Sequence, residues 1–281
     1  MSKYSSWLLA AAMTASVAYT STAVSSAAAA PLGSSWSDIS KLPDFFTGNW
    51  SDYGPMTDPK VDESYTPAAL AYMAHYKPIR DIPYSGIGCK TPGLPIIQHA
   101  GMPIKFMYEP GMIAIYIEND SATRFIHLNA PQDPHANPTY LGYSTGHFEG
   151  DTLVIESTHF NPDIMFEYGT RIPKPGEKTG IFSSVVFGPH GPNMREVETL
   201  RLVGPDTLED RTTIYDDSVF TKPYVATVHN LIRQHGPSAW PREWQCSLSD
   251  VSAYDGKTNT YDVKSPEDVL KELSGDENPG Q

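Results

Sequence analysis

From Pro138 to Phe160 the side chains alternate in two runs of period two around Glu149-Gly150-Asp151, which reads as a β-hairpin. The central glycine supplies the positive φ that a tight turn needs. With Glu149-Gly150 as the turn, His147 faces Thr152, Thr145 faces Val154 and Tyr143 faces Glu156. One face then carries Tyr143, Thr145, His147, Thr152, Val154 and Glu156. The other carries Gly142, Ser144, Gly146, Leu153, Ile155, Ser157 and His159. Neither face is the apolar-in, charged-out pattern of a purely structural hairpin. A three-residue loop would shift the register by one and re-pair the residues.

Further alternating runs lie at 112–118, 124–128, 195–203, 207–215 and 224–233, with a last one at 243–247. Ile113, Ile115 and Ile117 share one face of the first of these, and Asn119-Asp120 turns the chain toward Arg124 and His127. Eight to ten strands in successive hairpins predict a mainly β fold. The expected architecture is an antiparallel β-barrel of calycin type, with a β-sandwich as the alternative. Two short helices accompany it. One spans 66–76, with Thr66 as N-cap and Pro67 in its first turn; the other starts at Ser265-Pro266-Glu267-Asp268. Residues 78–103 are rich in Pro and Gly and predict irregular chain that covers the core. The excursion 161–192 predicts an ordered flap, because it contains the apolar run Ile181–Phe187, and 256–281 is a polar tail.

Residues 1–30 carry Lys3, then an apolar run from Trp7, then small residues ending in four alanines. This is the layout of a secretory signal peptide cut near Ala30, leaving 31–281 as one β-rich domain with its core at 85–250. No later segment reaches about 18 consecutive apolar residues, so no membrane-spanning helix is expected. The leader takes one lysine and no acid with it, so a formal charge of −13 becomes −14. Such a surface repels phosphate backbones and counts against nucleic acid as a partner. Cys89 and Cys246 are the only cysteines. In an exported protein a lone pair reads as a disulfide, which by chain entropy would contribute roughly 5 kcal/mol. A reactive thiol is the competing reading.

Gly48-Asn49-Trp50 resembles the Gly-x-Trp of the first lipocalin strand; a turn beside one buried Trp accounts for it equally. The block Pro-Thr-Tyr-x-Gly-x-Ser-x-Gly, an aromatic, then Glu-Gly-Asp-Thr-Leu-Val resembles that of a large family of exported bacterial proteins. The resemblance extends over roughly 85–250. It takes in Cys89, Arg124-x-Ile126, Pro189-His190 with Glu198 downstream, Phe220-Thr221-Lys222-Pro223-Tyr224, and Cys246. This chain has Phe148 where that family usually has Trp, and a longer insert before His190. The resemblance implies export and topology, and no particular reaction.

Three chemistries are weighed. The nine histidines lack tight ligand spacing such as His-x-His, so no metal or other cofactor is expected; strands could still converge three of them. Gly142-Tyr143-Ser144-Thr145-Gly146 matches Gly-x-Ser-x-Gly, but a nucleophile elbow needs a strand-to-helix turn, and Ser144 sits within a strand. Its glycines instead predict close approach by another element. General acid–base chemistry remains. Tyr143, His147 and Glu156 share a face, and an aromatic beside a carboxylate desolvates it and raises its pKa. His127, Tyr140 and His190 are the next candidates. The expected function is a periplasmic or secreted, cofactor-independent lyase or isomerase acting on a small hydrophobic or aromatic compound. A non-catalytic carrier of such a compound is the alternative.

Overall fold

The computed structural model describes residues 30–52, 54, 65–75, 91–99, 101–162, 164–170, 185–226, 228–236 and 239–243. Contacts divide the chain into Met1–Ala30 and Pro31–Gln281; the fold below is that of the second unit.

Twelve strands are described: β1 (Asn49–Ser51), β2 (Ile104–Glu109), β3 (Met112–Ile117), β4 (Ala122–Leu128), β5 (Tyr143–Glu149), β6 (Thr152–Thr158), β7 (Met165–Thr170), β8 (Val185–Pro189), β9 (Arg195–Gly204), β10 (Thr207–Tyr215), β11 (Tyr224–Val225) and β12 (His229–Gln234). Nine of them close a barrel in the order β1-β2-β3-β4-β5-β6-β9-β10-β12, with β12 returning to β1. Closure removes the open edges that a sandwich would leave. β11 pairs with the end of β10, and β7–β8 form a separate two-stranded sheet. Residues 171–184 of the excursion expected as a flap lie outside the described residues, as do Cys89, Cys246, residues 244–247 of the last expected strand and the helix expected at Ser265. Among the described residues the α-helix is α1 (Pro67–His75), where the Thr66 hydroxyl accepts the Ala69 N–H at 3.2 Å.

The barrel is mixed, which corrects the all-antiparallel expectation. β4 and β5 run parallel, Ile126 opposite Ser144 and Leu128 opposite Gly146. A two-residue turn can only reverse a strand, whereas a connection of a dozen or more residues can carry the chain back to the same end. Residues 129–142 are such a connection. They cross outside β5–β6, where Gln132 donates to the Thr145 hydroxyl at 2.9 Å and to the Glu156 carbonyl at 2.8 Å.

The β5–β6 register is also corrected. Gly150 (φ +64) and Asp151 form the loop, so Glu149 pairs with Thr152, Thr145 with Glu156, and Tyr143 with Thr158. Tyr143 and Glu156 are not directly opposed. The slip is by two residues, so the partition into faces is unchanged. Ser144, Gly146, Leu153, Ile155 and Ser157 face inward. Gly146 is required there: a Cβ would stand 2.8 Å from Ile126 Cγ2 and 3.1 Å from the Val154 carbonyl oxygen.

Two further strands differ from expectation. β2 arises at Ile104–Glu109, just after the chain predicted to be irregular, and the run 224–233 is broken between β11 and β12. One part of the interior is apolar, built from Phe45, Phe106, Ile113, Ile115, Leu153, Leu200 and Leu208, all buried. Burying each such side chain contributes about 1.5–3 kcal/mol relative to exposure. Trp50 on β1 donates its indole N–H to the Phe45 carbonyl at 2.9 Å, and the Arg233 guanidinium of β12 lies 4.3 Å over its ring. The first and last strands are thereby locked at the seam.

Candidate acid–base centre in the barrel interior

On β9 the inward positions are Glu196, Glu198 and Leu200; on β10 they are Leu208, Asp210, Thr212 and Ile214. Period two therefore carries three carboxyls into the barrel alongside leucine and isoleucine. Arg124 enters from β4, Ser144 from β5 and Ser157 from β6, all buried. The 3₁₀ turn Ile96–His99 inserts Gln98 and His99 from the segment expected only to cover the core.

Arg124 organises this layer. It donates through Nε to Ser144 Oγ at 3.2 Å and through Nη2 to Ser157 Oγ at 2.9 Å. Its Nη1 donates to Gln98 Oε1 at 2.9 Å and Glu198 Oε2 at 2.6 Å. Gln98 Nε2 in turn donates to Glu198 Oε1 at 2.9 Å and Asp210 Oδ2 at 2.8 Å. The amide thus presents its acceptor to the guanidinium and its donor to two acids. Burial opposes charge on Arg124, but Glu198 and Glu196 outweigh it and hold the guanidinium firmly protonated.

Glu196 is treated differently. Its nearer oxygen is 3.9 Å from Arg124 Nη2, too far for a hydrogen bond, and both carboxyl oxygens are buried without a partner. Burial pushes its pKa up to about 8; Arg124 pulls it down, and Glu198 adds to the rise. Asp210 is raised well above the usual carboxylate range by burial and by Glu198. One guanidinium cannot compensate three buried carboxylates. Glu198 meets the guanidinium at 2.6 Å, while burial disfavours charge on Glu196 and Asp210.

Next to Asp210 stands a second cluster. His99 Nε2 is 3.5 Å from Asp210 Oδ2, and the His99 and His229 rings stack at 3.8 Å. His229 Nδ1 lies 2.8 Å from Asp52 Oδ2. Burial, with the neighbouring charges of His229 and Arg124, holds His99 well below the ordinary imidazole pKa. His229 belongs here because it pairs across the sheet with Asp210.

The residues singled out from the hairpin lie on the other side of the wall. Tyr143 stacks on His127 at 4.9 Å on the outer face. His147 is exposed beside Glu149 at 3.0 Å, and Glu156 pairs with Arg195 at 3.2 Å. Tyr140 is half-buried in the crossing segment, its carbonyl accepting the Leu94 N–H. His190 bridges the carbonyls of Asn161 and Gly191. Among the described residues, the hydrogen bonds and ion pairs of these six lead to groups other than Arg124, Glu196, Glu198 and Asp210. Arg124 and Glu198, which lie far apart in sequence, are the ion pair at the centre of the interior layer. Glu196, Asp210, Gln98, His99 and His229 carry no motif. Their one sequence signal is that the acids of β9 and β10 share parity with Leu200, Leu208 and Ile214.

Fold and site together define a closed mixed β-barrel with an ionisable interior. No protein-family model matches this chain, nor does any curated protein or any solved structure.

Proposed function

We propose that this chain is an exported acid–base enzyme, a lyase or isomerase acting on a small hydrophobic or aromatic compound, with Glu196 as its proton-transferring group. One observation carries the reading: a buried carboxyl with no hydrogen-bond partner has its pKa raised to about 8 beside a fixed guanidinium. General acids and bases work best with a pKa near the operating pH, and burial is the ordinary way to bring a glutamate there. Arg124 stands where it can stabilise an oxyanion once Glu196 has moved a proton, and the leucine and isoleucine positions around the layer suit an apolar substrate. Removal of the leader near Ala30, export, and kinship with calycin barrels through Gly48-Asn49-Trp50 belong to the same proposal.

The carrier reading is favoured by a different observation. Four of the five N–H groups of the Arg124 guanidinium are already taken by protein side chains, as in a structural network. Isomerisation of a β,γ-unsaturated ketone, followed by absorbance of the conjugated product, separates the two. The enzyme reading expects measurable turnover that falls by about 10²–10⁴-fold in Glu196→Gln. The carrier reading expects none in either protein, with an apolar fluorescent probe bound equally well by both.

A further inference from the structure

We propose that Asp52, His99 and His229 form a binding site for a divalent first-row transition ion. Each offers one ligand atom, and the three atoms lie within 4.8 Å of one another. They come from three elements: the residue after β1, the 3₁₀ turn that plugs the barrel, and the first residue of β12. Two imidazoles and a carboxylate are the donor set that such ions take with positions left open for water or substrate.

Two polar atoms of this cluster are unused by the protein. His99 Nδ1 and Asp52 Oδ1 are buried and have no hydrogen-bond partner, a costly state for polar atoms that an ion would relieve. The side chains of His99 and Asp52 are 10% and 5% exposed. Asp210 stands on the far side of the His99 ring, 3.5 Å from Nε2. A carboxyl in that place stands where second partners of ligating histidines stand.

Bonds of about 2.1 Å place ligand atoms roughly 3.0–3.4 Å apart, so loading draws the three inward. The two rings stack with 15° between their planes. An ion shared by both lone pairs therefore turns one ring out of the stack. The site stands on different residues from the proton-transfer role of Glu196 and does not depend on it.

Zinc alone, titrated calorimetrically into the chelator-treated full mature chain, is the test. One equivalent should bind. Asp210→Asn should weaken binding by about 10–100-fold by changing the group behind the His99 ring, and His99→Ala and His229→Gln should weaken it further. X-ray absorption on zinc-loaded wild-type protein, which needs no variant to fold, should show two imidazole ligands. Failure of the folded chain to bind zinc, affinity unchanged in both histidine variants, or fewer than two imidazoles on the bound zinc would each overturn the proposal.

Discussion

Replacing Glu196 by Gln preserves shape and removes a proton, so it isolates what burial does to this carboxyl. In the unfolded chain the group titrates near 4.5, and in the fold at about 8. Between those values the native state holds a proton that the unfolded state has released. Stability contributed by this group is therefore fully present below about pH 4.5 and is lost as pH rises through about 8. The slope is about 1.4 kcal/mol per pH unit, so the whole window amounts to something on the order of 5 kcal/mol. Asp210 adds to the fall in the same direction, whereas His99, held neutral in the fold, opposes it below its ordinary pKa. The difference between wild type and variant removes contributions that both proteins share. Urea unfolding across about pH 5 to 9 should give nearly equal stabilities at the acid end. The variant should pull ahead by several kcal/mol at the alkaline end. Parallel curves would refute the raised carboxyl and, with it, the proton-transfer role.

Arg124→Lys should not rescue the layer, because one ammonium cannot reproduce donation from Nε, Nη1 and Nη2 to Ser144, Gln98, Glu198 and Ser157. Denaturant unfolding should show a loss of about 3–5 kcal/mol, the range for breaking a buried ion pair. Gly146→Ala forces a methyl to 2.8 Å from Ile126 and should cost about 1–3 kcal/mol by the same measurement, without altering the pH dependence. Cys89 and Cys246 should resist alkylation in the exported protein until it is reduced, and free thiols on both would exclude the disulfide.

Much of the wall was legible in the chain. Period-two alternation marked β3, β4, β5, β6, β9 and β10, and Thr66-Pro67 marked the start of α1, because these signals are local. The partition of the central hairpin into two faces also survives a register slip of two. Alternation says which residues share a face but not which face becomes concave. Both faces of this hairpin mix polar and apolar residues, so nothing local ranked Ser144 and Ser157 above Tyr143 and Glu156 as interior groups. That choice was made by closure: β12 meets β1, β4 runs parallel to β5, and the crossing segment 129–142 covers the outer face. The acids of β9 follow the same logic. Read alone, Glu196 and Glu198 look like a solvated edge, and only the curvature of the closed sheet removes them from water. Gln98 and His99 were the least visible, since a Pro- and Gly-rich stretch shows no period from which an inward face can be read. The sequence by itself determined the strands, their faces and the titratable groups available. Tertiary structure decided which of those groups are desolvated and brought together, because desolvation and convergence depend on residues more than a hundred positions apart.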